Sequence, residues 1–373
     1  MNNVERLWEQ GQSIWFDFIR RDLLEDGELQ RLIDLGLRGM TSNPTIFEKA
    51  IDGSDDYDQA IREFPHPEDT SALYDALTWA DIGLAADLFR PLYDASGGQD
   101  GFVSIEVSPT LARDTKGTVV EARRIWRALA RPNIMIKVPA TEEGIPAILT
   151  LIQEGLNVNV TLIFALERYR QVIDAYWGGL QARADEGKPI DRVASVASFF
   201  VSRVDTLVDH LLEEREKASP ADRERLRALH GQAAVANARE AYALFTDSIA
   251  DARAHALIER GAQVQRPLWA STSTKNPAYP DLLYVDSLIG PHTVNTVPPA
   301  TWEGILDHAQ VARTVDRDLD RSRETLASLE AAGISMRAVT QQLEEEGVKS
   351  FADSFTTLMN GLEKKARAVS SRP

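Results

Sequence analysis

Lys137 stands in the segment NIMIKVPA between Ile136 and Val138, in a stretch that reads as a strand buried on both faces, where a charge has no ordinary place. Alternation with period two sends Ile134, Ile136 and Val138 to one face and Met135 and Lys137 to the other, toward the interior and near the strand's C-terminal end. Burial disfavours the ammonium form, and a neutral amine is a nucleophile for carbonyl carbons. A lysine kept there only to pair with one carboxylate is the competing reading, and this residue alone does not choose between the two.

The same alternation aims Asp17, Glu106, Asn159 and Thr161 at the polar face of their own segments, with Phe16, Ile105, Val107, Val160 and Leu162 opposite. Together with Lys137 these residues imply a polar cavity, because a purely structural barrel interior fills with branched aliphatics. Carboxyl, amide and hydroxyl groups around a buried amine are the parts needed for proton transfer on a carbonyl adduct. A metal centre is not expected. The six histidines fall mostly in helical or loop segments, no HExxH or paired-His spacing exists, and the absence of cysteine removes thiolate ligands. His292 precedes the last strand and is expected at the surface, at the wrong end of that strand. No GxGxxG or P-loop fingerprint is present.

Bringing these side chains to one mouth requires several strands running the same way. Short apolar or β-branched runs at 13–19, 36–43, 101–108, 133–140, 157–164, 193–201, 267–272 and 293–297 are each followed by residues of helical period. That is the signature of a parallel sheet with crossover helices, and eight strands close a barrel. Asp26 is placed to cap a helix carrying Leu29, Leu32 and Ile33, and Gly36 stops it; Ile145, Ile148, Leu149 and Ile152 repeat the helical pattern within 141–155. The connectors 44–100 and 205–266 are long enough for extra helices, and neither has a strand set of its own. Residues 302–369 read as helical, with Val348, Phe351, Phe355, Met359 and Leu362 forming an apolar stripe, and the closing KKARAVSSRP reads as a fraying tail. The expected fold is therefore an α/β (β/α)8 barrel with helices inserted after strands 2 and 6 and a C-terminal helical extension. All 373 residues are taken as one domain, with helices over about 304–370 packed back on the barrel.

Composition narrows the partners. Lys and Arg number 41 against 57 acids, a net charge of −16, so the overall field repels nucleic acid and anionic lipid. An anionic substrate would need a few cations placed locally in a cleft. Zero cysteines, no apolar signal core at the N-terminus and no run of eighteen apolar residues give the expectation of a cytoplasmic protein without a membrane partner. No feature sets the oligomeric state, and a homodimer is one arrangement the sequence allows.

The segments WFDFI, TSNPTIF, SIEVSP, IKVPAT, NVTLIF, SFFVSRVD, STKNP and TVNTVPP, in this order and spacing, together resemble transaldolase from the first strand through the eighth. The resemblance implies a TIM barrel whose Lys137 attacks a ketose carbonyl and retains a three-carbon dihydroxyacetone unit, with no cofactor. It implies Asp17 as the base in carbon–carbon cleavage, and Glu106 with Thr161 around a water as the proton carrier. Asn43, Asn159 and Ser198 would bind hydroxyls of the retained unit. Arg203 falls where the family places a phosphate-binding arginine, an ion pair with Asp205 being the plainer alternative. The second phosphate ligand departs from the better-known Arg-Asn pair: Lys275-Asn276 comes two residues later after Ala270-Ser271. The implied activity is transfer between sugar phosphates in the pentose phosphate pathway. Phe200 stands where short aldolase relatives carry a tyrosine hydroxyl, which argues against an aldolase that releases dihydroxyacetone. A non-catalytic barrel scaffold is the remaining alternative.

Overall fold

A computed structural model describes residues 1–370 of the chain. Eight parallel strands, β1 (Gln12–Phe16), β2 (Gly39–Thr41), β3 (Phe102–Glu106), β4 (Ile134–Pro139), β5 (Val158–Ile163), β6 (Ser195–Phe200), β7 (Arg266–Ala270) and β8 (Thr293–Val297), close in sequence order, with β8 pairing β1. Helices surround the sheet, so the fold is the α/β TIM-type barrel expected from the eight runs. Each strand is shorter than or equal to the run that announced it, because apolar residues at the run ends such as Phe18, Ile19, Val107 and Phe164 lie past the ladder in connecting segments.

The two long connectors are helical. Pro44–Asp52, Asp58–Glu63 and Thr70–Ala95 follow β2, and Ser202–Ala218, Arg223–Arg227, Ala233–Ala250 and Ala252–Glu259 follow β6. The helix expected after Asp26 runs over Glu28–Asp34, and Gly27 with φ 87° is its N-cap residue, although the Asp26 carboxylate accepts from Glu28 N at 2.9 Å. Gly36 takes φ 106° and lets Leu37 N return to Leu32 O, which ends the helix.

The C-terminal segment differs from its expectation twice. Helix is interrupted over 309–318, between Pro299–His308 and Leu319–Ala331, and then resumes as Met336–Ser370. The last ten residues are not a fraying tail through their described part. Ala366 and Val369 are buried, and Lys365 Nζ donates to Ile51 O at 2.8 Å and to Ser54 O, which fastens this helix to the insertion after β2. Lys365 also pairs with Asp58 at 3.3 Å, and Ala366 and Val369 continue the apolar face of Leu358 and Leu362 at helical spacing. Residues 371–373 lie outside the described residues. Phe351, Leu358 and Leu362 are buried, and Phe355 meets Tyr74 edge-on at 5.5 Å. Gly347 lies so close to Leu162 that a Cβ there would stand 2.9 Å from the leucine side chain, so the helix passes over the C-terminal end of β5.

The opposite mouth is closed by charge. Asp100, fully buried, accepts from Ser13 Oγ (2.9 Å), Arg38 Nε (2.8 Å) and Arg266 (3.1 Å), with Trp15 Nε1 at 3.3 Å. Removing one partner of a buried ion pair leaves uncompensated charge. Asp100→Ala should therefore cost on the order of 3 to 5 kcal/mol in urea unfolding. A loss below about 1 kcal/mol, the range of an exposed pair, would show that this network carries little of the barrel's stability.

Candidate active site

At the C-terminal mouth, β3, β4 and β5 bring Glu106, Lys137 and Asn159 side by side, because the register pairs Glu106 with Lys137 and Lys137 with Asn159. Lys137 is 5% exposed. Among the described residues its Nζ makes one hydrogen bond, donated to Ser42 O at 3.2 Å, and no ion pair. The carboxylate partner of the competing reading is therefore not present in that form. Asn159 is held at both ends: its Nδ2 donates to Ser104 Oγ at 3.0 Å, and its Oδ1 accepts from Ser198 Oγ at 2.7 Å.

A cavity of about 200 Å³ opens above this layer, lined by Asp17, Asn43, Lys137, Thr161, Ser198, Phe200, Arg203 and Lys275, with Thr41, Thr296 and Phe351. Asn159 lies beneath it and reaches it through Ser198. Glu106 borders instead an adjoining cavity of about 510 Å³ that also touches Tyr74 and Phe355. Thr41, Thr296 and Phe351, and Ser42 through its carbonyl, join the site without standing out in the sequence. Thr41 Oγ1 donates to Asp17 Oδ1 at 2.7 Å and lies 2.7 Å from Thr296 Oγ1, so the base candidate is held by a pair of threonines. Thr41 and Ser42 sit inside TSNPTIF and Thr296 inside TVNTVPP, so those segments held the signal. Phe351 was legible only as part of the helical stripe.

Electrostatics separate the two carboxyls from ordinary ones. Burial pushes Glu106 up to about 7, opposed by the Lys137 charge and reinforced by Asp17. Both Glu106 oxygens are buried without a hydrogen-bond partner among the described residues, as is Thr161 Oγ1. Burial also raises Asp17, against the Lys137 charge and the Thr41 hydrogen bond. Asn43 caps the helix after β2 by accepting from Ile46 N at 3.0 Å, which leaves its NH2 for other contacts.

Arg203 is not paired with Asp205. That carboxylate accepts from Ala234 N at 2.7 Å and Tyr284 Oη at 2.9 Å, while the Arg203 guanidinium lies 5.4 Å from the Phe200 ring centre and has no hydrogen bond or ion pair among the described residues. Burial lowers its pKa, so an anion at the mouth would relieve a real cost. Lys275 is exposed at the rim and donates to Ser273 Oγ at 2.6 Å. Among the described residues no group of three His, Asp or Glu side chains could hold a metal ion. His292 is exposed, ahead of β8 and away from this mouth.

Residues 14–362 match the family model described as Transaldolase/Fructose-6-phosphate aldolase. The chain belongs to that family. Relatives named transaldolase include one from Trichodesmium erythraeum, 45% identical over 99% of this chain and 98% of its own length. Another, from Saccharopolyspora erythraea, is 47% identical over 96% of each chain, and one from Thermobifida fusca is 45% identical over 98% of each. The match runs from Ile14 within β1 through β8 and includes the last helix as far as Leu362, Phe351 among its residues.

The Glu106 environment makes a stability prediction with a definite sign. The folded state keeps this proton up to about pH 7, whereas an unfolded glutamate loses it near 4.5. Its contribution is therefore complete below 4.5 and lost as pH rises through 7. Measured by urea unfolding, Glu106→Gln should gain stability relative to the unsubstituted protein between these values, by on the order of 3 kcal/mol. A difference that stays constant across this range would contradict the assigned environment.

Proposed function

We propose that the chain is a transaldolase moving a dihydroxyacetone unit from a ketose phosphate, sedoheptulose 7-phosphate or fructose 6-phosphate, to glyceraldehyde 3-phosphate or erythrose 4-phosphate. The observation that carries the reading is Lys137: a buried amine without an ion-pair partner among the described residues, opening into a polar cavity in the layer of Glu106 and Asn159. Nζ adds to the ketose C2 carbonyl, and the carbinolamine loses water to give an iminium. Glu106, near neutrality and next to Lys137, donates and accepts the protons of that step, with Thr161 holding the water. Asp17 takes the C4 hydroxyl proton as the C3–C4 bond breaks, and that bond's electron pair moves into the iminium to leave an enamine on Lys137. The aldose phosphate formed departs, a second one enters, and the enamine carbon attacks its aldehyde while Asp17 returns the proton. Hydrolysis of the new iminium frees the product and the lysine.

Asn43, Asn159 and Ser198 bind the retained hydroxyls, and Arg203 with Lys275 binds the phosphate. The unpaired guanidinium supports the first of these cations, and its fork suits phosphate oxygens. Phe200, 5.1 Å from Phe164 between ring centres, offers no hydroxyl to protonate the enamine, which favours transfer over release. The same reading takes the enzyme to act in the cytoplasm in the pentose phosphate pathway without a cofactor, with sugar phosphates as its partners and neither nucleic acid nor membrane. Zero cysteines and the net charge of −16 support this, and no described helix is long and apolar enough to cross a membrane. A homodimer is compatible with it.

Incubation with fructose 6-phosphate and erythrose 4-phosphate should give sedoheptulose 7-phosphate and glyceraldehyde 3-phosphate. Free dihydroxyacetone as the main product would replace the reading with an aldolase, and no turnover would leave a scaffold. Asp17→Asn should lower kcat by roughly a hundredfold or more, the scale of a missing acid–base group. Unchanged turnover in that variant would remove Asp17 from the chemistry.

A further inference from the structure

The two cations assigned to the phosphate come from different elements. Arg203 is in the first turn of the helix Ser202–Ala218, and Lys275 is in the loop after β7. A phosphate held by both needs their separation fixed, since a site that is slightly too wide loses the bidentate geometry that makes such contacts strong. Lys275 cannot supply this itself, being exposed on a long, rotamer-rich side chain.

The inner face of the Arg203 helix does so. Asp205 and Asp209, one turn apart and both buried, each accept a phenol from the segment that follows Lys275. Tyr284 Oη donates to Asp205 Oδ2 at 2.9 Å, and Tyr279 Oη donates to Asp209 Oδ2 at 2.7 Å. The other carboxylate oxygens are not idle: Asp205 Oδ1 accepts from Ala234 N at 2.7 Å, and Asp209 Oδ1 accepts from Gly231 N at 3.0 Å. Both aspartates are thus fixed before the tyrosines reach them. The Tyr279 ring sits against Gly231, where a Cβ would come within 2.8 Å of it.

The loop is also stiff between Lys275 and its anchors. Ala278 N donates to Asn276 Oδ1 at 2.9 Å, Tyr279 N donates to Asn276 O at 3.1 Å, and Thr274 Oγ1 donates to Pro280 O and Asp281 O. At its start, Ser271 takes the left-handed conformation at φ 57° and accepts from Ser202 N at 3.0 Å, directly beside Arg203. Left-handed backbone in a serine is a local cost that surrounding contacts must hold in place.

We propose that Tyr279 and Tyr284, anchored on Asp209 and Asp205, are positioning residues that hold the Lys275 loop against the Arg203 helix and so set the enzyme's preference for phosphorylated sugars. The proposal rests on the phosphate reading given above. Neither tyrosine touches the reacting atoms; each acts through Lys275.

The test is the ratio of kcat/KM for fructose 6-phosphate to that for fructose, with thermal unfolding of each variant as a check on folding. Arg203→Ala and Lys275→Ala come first: if neither lowers the ratio, the phosphate site is elsewhere and the proposal falls with it. If they do, Tyr279→Phe should lower the ratio by about fivefold or more, the scale of one hydrogen bond, mainly through the KM for fructose 6-phosphate. Tyr284→Phe should act in the same direction. In a Lys275→Ala background Tyr279→Phe should change the ratio no further, because it acts through that lysine. An unchanged ratio in Tyr279→Phe, an equal loss with both sugars, or a full additional loss in the Lys275→Ala background would each overturn the brace. If Tyr284→Phe fails to fold, the half-buried Tyr279 still decides the question.

Discussion

An amine buried on a strand must find polar company or lose its place, and the upper half of this barrel is arranged around that constraint. Among the described residues Lys137 meets one backbone carbonyl and no ion-pair partner. A fully paired lysine would be a stable structural element and a poor nucleophile. Leaving it unpaired is tolerable because its layer neighbours are polar and themselves held: Asn159 by Ser104 and Ser198, Asp17 by Thr41. Burial raises the proton affinity of both carboxyls, and that of Glu106 reaches about 7, the range suited to the proton transfers proposed for it.

Charge is divided between the two ends of the barrel by purpose. At the N-terminal end Asp100 is saturated by two arginines, a serine and an indole, which is how a buried charge contributes to stability. At the C-terminal end Arg203 lies over Phe200 with no carboxylate in hydrogen-bond or ion-pair contact among the described residues, although the chain carries sixteen more acids than bases. Asp205, the acid nearest to it in sequence, is diverted to Tyr284 and a backbone amide. In a protein of this net charge, an anion site needs a guanidinium kept out of any ion pair, and among the described residues Arg203 has none, with Glu346 acting on it only through its charge.

Strand positions were legible in the sequence because period-two alternation and β-branched runs mark them directly, and Lys137 was legible because it breaks that pattern. Asp17, Asn43, Thr161, Ser198, Arg203 and Lys275 meet at one cavity as the segment order implied. Other features depended on geometry that no local pattern encodes. Glu106 borders the neighbouring cavity, although its register places it beside Lys137. Arg203 and Asp205 are two residues apart, yet the helix turns them to different partners. The end of the chain looked like a tail because it is rich in charge, whereas Lys365, Ala366 and Val369 share a face that only the insertion after β2 can bury. Phe351 read as packing and also lines the site, since packing on a barrel mouth and lining it are the same act there.

The proposed chemistry rests on Lys137 as the nucleophile. Reducing the protein with borohydride in the presence of fructose 6-phosphate should fix a three-carbon adduct, locatable by peptide mass analysis, because an iminium is reduced to a stable secondary amine. The adduct should appear on Lys137 and be missing in Lys137→Ala. An adduct on another lysine, or full transfer activity without any adduct, would contradict that chemistry.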